Sequence, residues 1–260
     1  MEGQHKTASL LTGYRVLDLA NEKAMYCGKL LGDLGADVIK IEKPGGDPCR
    51  NIGPFYHDIP DPEKSLYWFH FNTSKRSITL DIEKRDGQEL FKKLVATADF
   101  VIESFAPGYM AGLGLGYPDL ERINPRVIVV SITPFGQTGP YRDFKGPDIV
   151  AMAMGGLMYL CGDADRPPVR VTAAQAYMQA SVQGSAGAMI AYWHRLATGE
   201  GQHVDVSMQE CISNCLDTTQ QAWDLQQLIY ARQGGERYIS NKPVRVPYPC
   251  KDGYFAAYNS

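Results

Sequence analysis

Several features that mark other protein classes are missing from this chain of 260 residues. No apolar run reaches about 18 residues, so no membrane span is expected. The first residues, MEGQHKTASLLTGY, lack the apolar stretch of a signal peptide. The 26 basic residues do not exceed the 29 acidic ones, which argues against nucleic acid as a partner. Six scattered cysteines in a chain of this size predict reduced thiols and a cytoplasmic location.

The motifs of some common enzyme classes are also absent. No G-x-S-x-G sequence occurs, so a serine α/β-hydrolase is not supported. The glycines of Gly112–Gly116 have the spacing G-x-G-x-G and follow a late strand, which favours a turn over a dinucleotide-binding loop. A nicotinamide-dependent oxidoreductase therefore ranks last. Cys211 and Cys215 have no second ligand pair nearby, so they predict buried thiols rather than a metal site.

The residues that are present predict an α/β fold. Hydrophobic residues make up 44% and charged residues 21%, which is ordinary for a folded protein. Short apolar segments alternate with segments of helical spacing, and we interpret six of them as strands: 14–19, 36–42, 77–83, 99–105, 126–132 and 203–208. Continuously apolar strands separated by helices indicate a parallel sheet that is covered on both faces.

Three other segments carry distinct expectations. Residues 44–70 are rich in proline and aromatic side chains, so we expect an irregular stretch that packs over a site or against a partner. Residues 173–195 are rich in alanine, glycine and serine, which favours a helix in a tight helix–helix contact. Residues 209–233 also predict a helix.

A basic pair, Lys75 and Arg76, opens the third predicted strand. Such a pair is either a solvated face of the sheet or a phosphate clamp, because arginine pairs with phosphate through two hydrogen bonds and lysine adds a point charge. The residues by themselves leave both interpretations open.

Six segments occur in order along the chain: RVLDL with LLGDLGADVIKIEKPGGDPCR (15–50), FNTSKRSITLDI (71–82), ADFVIESFAPG (98–108), INPRVIVVSITPFGQTGPY (123–141), GPDIVAMAMGGLM (146–158) and RLATGEGQHVDVSMQE (195–210). Together they resemble the family III CoA-transferases, the CaiB/BaiF family. The resemblance covers residues 12–256. It implies a Rossmann-like CoA-binding domain (1–225), then a linker and the start of a smaller second domain (226–260), in an interlocked dimer. The rest of the second domain is expected outside these residues, on a longer chain or on another one.

The resemblance also implies a CoA thioester as substrate, with a carboxylic acid as the second substrate and no tightly bound cofactor or metal. Matched one by one, the CoA-contacting positions are Glu22, Lys23, Ala24, Lys43, Arg50, Lys75, Arg76, Ser104, Phe105 and Lys145. We expect their basic members to bind the phosphates of CoA at the carboxyl ends of the parallel strands, where open α/β sheets bind ligands.

The family's catalytic aspartate, which carries the acyl group as a mixed anhydride, has no counterpart in this sequence. Its position falls on Ala176 or Tyr177, and no acidic residue lies between Asp165 and Glu200. Asp148 remains as the candidate catalytic carboxylate. Capping of the helix that begins there is an equally good explanation of its presence.

Three hypotheses follow. In the leading one, the chain is a CoA-transferase subunit that moves CoA between carboxylic acids, either as a homodimer or beside an aspartate-bearing paralogue, as in the two-subunit benzylsuccinate CoA-transferase. The second is an acyl-CoA racemase, isomerase or lyase that uses another carboxylate such as Asp148, although Pro147 replaces the histidine of the racemases. The third is a non-catalytic acyl-CoA-binding subunit.

Overall fold

The computed structural model describes residues 9–239, 242–245 and 247–256. Six strands form a parallel sheet: β1 (Arg15–Asp18), β2 (Asp37–Glu42), β3 (Lys75–Thr79), β4 (Phe100–Glu103), β5 (Ile128–Thr133) and β6 (His203–Ser207). Their spatial order is β3-β2-β1-β4-β5-β6. This is the order of Rossmann-type dinucleotide folds, so the predicted α/β class is confirmed.

Nine helices are described: α1 (Met25–Asp33), α2 (Leu66–Asn72), α3 (Arg85–Val95), α4 (Tyr109–Gly112), α5 (Tyr117–Ile123), α6 (Asp148–Met154), α7 (Gln175–Thr198), α8 (Met208–Asn214) and α9 (Asp217–Gln226). Helices α1, α6, α7 and α8 cover one face of the sheet, and α3 and α5 cover the other. Two antiparallel pairs follow outside the sheet: β7 (Glu236–Ile239) with β8 (Lys242–Arg245), and β9 (Pro247–Cys250) with β10 (Gly253–Ala256).

The sheet separates two apolar cores, because successive strand side chains point to opposite faces. Val16 and Phe100 pack under α1 and α7, whereas Leu17 and Val101 pack under α3 and α5. Burial on both faces explains why these strands are continuously apolar instead of alternating with polar residues.

Helix α7 lies close to the sheet and to α1 because its buried residues, apart from Arg195 near its end, are small. The small ones are Ala176, Ala180, Ser181, Gly184, Ala188 and Ala191. A Cβ atom on Gly184 would lie 2.7 Å from the side chain of Ile132, so no larger residue fits there without a shift. The predicted tight contact of this segment is therefore confirmed.

Some predicted boundaries are wrong. The irregular stretch ends earlier than expected, because Ser65 accepts a hydrogen bond from the Trp68 amide (3.0 Å) and caps α2. The helix predicted over 209–233 is two helices, with a break at Cys215 and Leu216 that no glycine or proline announces, and residues 227–233 are not helical. The Gly112–Gly116 segment is the expected turn, between α4 and α5. None of the described helices is both long and apolar enough to cross a bilayer.

Candidate functional site

The strand order reverses between β1 and β4. At such a reversal, open α/β folds have a crevice at the carboxyl edge of the sheet. The chain leaves these neighbouring strands in opposite directions, which opens a gap that open α/β folds use for ligands. The two loops are joined through Asn21 and Ser104: the Asn21 amide donates to Ser104 Oγ (3.0 Å), and the Ser104 hydroxyl donates to Asn21 Oδ1 (2.8 Å). Glu22, Lys23 and Phe105 lie in the same two loops, as predicted.

Two buried lysines hold the floor of this crevice. The Lys75 ammonium donates to Asp18 Oδ2 (2.7 Å), to the Met25 carbonyl (2.6 Å) and to Asn72 Oδ1 (2.9 Å). The Lys40 ammonium lies 3.2 Å from an Asp47 carboxylate oxygen and donates to the Ala20 carbonyl. Both side chains are almost fully buried, so this network fixes the loop that follows β1.

The placement expected for Lys75 and Arg76 at the carboxyl edge is wrong. Strand β3 begins at Lys75, so the backbone of both residues lies at the amino edge of the sheet, and only the Lys75 side chain reaches Asp18 at the end of β1. Arg76 pairs there with Asp37 at the start of β2 (2.6 Å). Lys75 is only 1% exposed, and its three N–H donors are already used. Neither residue therefore has free donors directed at the crevice.

Arg50 is also committed to partners within the chain. It donates to Glu42 through Nε (2.7 Å) and an NH2 group (2.8 Å), and to Glu63 (3.0 Å). Its guanidinium lies 4.2 Å from the ring centroid of Trp68. Burial works against ionisation of Glu42, yet the hydrogen bonds from Arg50 and from the Ser77 hydroxyl lower its pKa to about 2. Arg50 thus shapes the loop over the crevice.

The remaining basic candidates are accessible. Lys43 forms an exposed pair with Glu83 (2.6 Å), which costs little to open. No ion pair of the described residues involves Lys23 or Lys145, and the Lys145 side chain is exposed. Ala24 is fully buried just before α1, and its amide donates to the Asn21 carbonyl (3.0 Å), so it offers no free group to a ligand. Lys23, Lys43 and Lys145 are therefore the cations with donors for phosphate groups.

The first turn of α7 holds Ala176 and Tyr177, the two positions to which the resemblance assigns the family's aspartate, and Ala176 is fully buried. Asp148 takes a neighbouring place from another helix. Its Oδ1 accepts from the Ala176 amide (2.8 Å), and its Oδ2 accepts from Arg170 Nε (3.2 Å). The expectation that Asp148 caps its own helix is wrong: Pro147 precedes α6, and the Asp148 carboxylate caps α7.

Two tyrosines beside this turn were not found from the sequence. Burial raises the pKa of Tyr67, and the nearby Glu22 and Asp148 carboxylates add to that effect. Burial also raises the pKa of Tyr177. Both phenols therefore remain protonated at neutral pH and keep an O–H donor. The ring-rich segment 44–70 was the only signal for Tyr67, and Tyr177 was marked only as a possible position of the missing aspartate, not as a donor.

Glu103 is a second feature that the sequence did not reveal. It ends β4 and is 5% exposed, and its Oε2 accepts from the Phe105 amide (2.8 Å). The Ser131 hydroxyl lies between this carboxyl and the ring of His203, 2.9 Å from Nε2. Burial raises the pKa of Glu103 to about 7, and the Asp205 charge acts in the same direction. Its protonation state therefore changes in the neutral range, next to the Ser104–Phe105 loop.

We expect Glu103→Gln to change how stability depends on pH. Because the pKa of Glu103 rises from 4.5 to about 7 on folding, the folded chain holds a proton that the unfolded chain releases. The free energy of unfolding of the wild type therefore falls as the pH rises from about 4.5 to about 7. Glutamine does not titrate, so the free energy of unfolding of the variant does not fall in this way. The variant should be about 1–2 kcal/mol more stable than wild type at pH 8 and equally stable at pH 4.5. Urea unfolding at both pH values measures this, and equal stability at pH 8 would contradict it.

The thiols do not form a metal site in the part of the chain that is described. No group of three or more His, Cys, Asp or Glu side chains is arranged there to hold a metal ion. Cys211 is buried, as predicted, and burial raises its pKa to about 12. Cys215 is exposed, which corrects the prediction for that residue. All six cysteines are free thiols.

Comparison with known proteins identifies relatives of this chain. The chain is 39% identical over 243 residues to the succinyl-CoA:(R)-benzylsuccinate CoA-transferase subunit BbsE of Thauera aromatica, covering 94% of this chain and 58% of the relative. It is 38% identical to the succinyl-CoA–L-malate CoA-transferase beta subunit of Chloroflexus aurantiacus, covering 99% and 63%. It also matches the crystal structure of a CAIB/BAIF family protein from Brucella suis, with TM-score 0.86, 36% identity, and coverage of 96% and 66%.

The chain thus spans about 60% of the length of these two curated relatives. The family match nevertheless covers almost all of this chain, because residues 11–259 fit the family described as CoA-transferase family III. The strand order, the crevice between β1 and β4 and these matches agree, and the chain belongs to CoA-transferase family III.

Proposed function

We propose that this chain binds a CoA thioester in the crevice between β1 and β4 and takes part in moving CoA from an acyl-CoA to a carboxylic acid. The observation that carries the proposal is the crevice at the strand-order reversal, with accessible lysines around it, in a chain of this family. The relatives transfer CoA from succinyl-CoA to benzylsuccinate or malate by their names, which supports a dicarboxylic acyl group as the donor class. Six free thiols support a cytoplasmic location.

The residues around the crevice have distinct parts in this proposal. Lys23, Lys43 and Lys145 bind the diphosphate and the 3′-phosphate of CoA, because each is a cation with accessible donors. The loops joined by Asn21 and Ser104 hold the pantetheine arm near the start of α7. The protonated phenols of Tyr67 and Tyr177 donate hydrogen bonds to the thioester carbonyl, which favours attack at its carbon.

A second subunit supplies the acyl carrier in this proposal. No carboxylate lies in the first turns of α7, and both oxygens of Asp148 already accept hydrogen bonds. The partner's carboxylate would attack the thioester carbon, the C–S bond would break, and CoA would leave as its thiolate while the acyl group forms a mixed anhydride. Relatives named as alpha or beta subunits support a heteromer over a homodimer.

The direct test is CoA exchange with and without the partner. We would express the full protein with an aspartate-bearing paralogue encoded beside it, add succinyl-CoA and a panel of carboxylic acids, and quantify new thioesters. We expect rapid exchange in the pair and none in either protein alone. Full activity of this protein by itself would reject the partner, racemisation without exchange would support the racemase alternative, and tight CoA binding without any reaction would support the non-catalytic one.

A further inference from the structure

Arg170 is a basic residue at the proposed site to which nothing above assigns a ligand. Its side chain precedes α7 and remains 45% exposed. Nε and an NH2 group lie 3.2 and 3.0 Å from Asp148 Oδ2, and the same NH2 group donates to the Ala173 carbonyl (3.3 Å). Within the described part of the chain, the other terminal nitrogen, NH1, makes no hydrogen bond. One end of the guanidinium is thus held and the other is free.

The held end is fixed by a rigid element. The Asp148 side chain is 7% exposed and accepts from the Ala176 amide at 2.8 Å, so it is locked to the first turn of a helix of 24 residues. Arg170 is therefore oriented by the same turn at which the proposed function places the thioester carbon. Side chains that are positioned before the ligand arrives lose less entropy on binding, which makes them effective recognition groups.

Charges of opposite sign act on the two tyrosines of the site. The Arg170 charge acts on the Tyr177 phenol. Glu22 acts on both Tyr67 and Tyr177, and its Oε2 accepts only a weak hydrogen bond from the Cys49 thiol (3.6 Å). A second carboxylate on the acyl group would be repelled by Glu22 and attracted by Arg170.

We propose that Arg170 binds the free carboxylate of a dicarboxylic acyl group, and that this contact makes the chain prefer succinyl-type over monocarboxylic acyl-CoA. The inference rests on the proposed function, because it needs the acyl group at the start of α7. In a succinyl thioester, three carbon–carbon bonds separate the reacting carbon from the free carboxylate carbon, which suits neighbouring positions at one helix turn. Asp148 is the residue that positions Arg170.

Calorimetric titration with two ligands of similar shape separates this role from a structural one. Succinyl-CoA and butyryl-CoA have the same chain length and differ by the free carboxylate. We expect the wild-type protein to bind succinyl-CoA more tightly, and Arg170→Gln to weaken succinyl-CoA binding about 10–100-fold while butyryl-CoA binding changes less than about twofold. Arg170→Lys should lose part of the preference, since it keeps the charge without the planar fork. Arg166→Gln, which changes an arginine that is 73% exposed, is the matched control.

The ratio of the two affinities decides the outcome, because a folding defect lowers both together. An unchanged preference for succinyl-CoA in both Arg170 variants would overturn the role of Arg170, even where CoA binding persists. A wild-type protein that binds neither thioester nor free CoA would reject the proposed function itself. Equal wild-type affinity for the two thioesters would overturn the inference and leave the CoA site intact.

Discussion

Replacing Lys75 by methionine is expected to lower the free energy of unfolding by about 3 kcal/mol, because it leaves the buried Asp18 carboxylate without its closest cation. Lys40 remains 4.0 Å from Asp18 and limits the loss. For a domain of this size, the change corresponds to a fall in melting temperature of roughly 6–12 °C. Urea and thermal unfolding would both measure it.

Two further variants show whether charge pairing is the cause. Lys93→Met changes an exposed lysine on α3 and should alter stability by less than about 0.5 kcal/mol. Asp18→Asn combined with Lys75→Met removes both members of the pair and should recover part of the lost stability. A Lys75→Met protein as stable as wild type would show that Lys75 does not hold the crevice floor.

Asp148→Ala is expected to cost about 2–3 kcal/mol, because it removes the cap of α7 and leaves the Arg170 guanidinium without its partner. Asp148→Asn should cost less, since its amide oxygen still accepts from the Ala176 amide. Asp143→Ala, at a side chain that is 74% exposed, is the matched control and should change little. Urea unfolding at neutral pH compares the three.

A trapping experiment tells whether Asp148 has a catalytic role in addition to its structural one. Hydroxylamine added during turnover with acyl-CoA converts an acylated carboxylate into a hydroxamate, which peptide mapping locates. We expect no hydroxamate at Asp148. A hydroxamate there, or a loss of activity in Asp148→Asn with unchanged stability, would identify Asp148 as the acyl carrier.

The sequence predicted the sheet better than the helices around it, for a physical reason. Strands such as β4 and β5 are buried on both faces, so their apolar runs are unmistakable. The break between α8 and α9 falls at Cys215 and Leu216, where no glycine or proline gives a local stop signal. Likewise, Ser65 caps α2 inside a proline-rich segment, where local composition had favoured irregular structure.

The candidate site was likewise predicted only in part. The loops of Lys23 and Ser104 follow β1 and β4 as predicted, and the strand order brings the ends of these two strands together. Arg50 and Lys75 were predicted as ligand contacts, yet Arg50 is paired with Glu42 and Glu63, and all three donors of Lys75 are used within the chain. A sequence shows where a basic residue is but not which acidic residue it pairs with in the folded chain. The pairing of Arg170 with Asp148 could therefore not be deduced from it.

Hydrogen–deuterium exchange with and without saturating CoA tests the central claim most directly, because it locates the bound ligand on the backbone. We predict slower exchange of the amides in the loops after β1 and β4, around Asn21 and Phe105, and no change in α3. Protection at the amino edge around Asp37 and Arg76, or no protection anywhere in the protein, would contradict binding between β1 and β4.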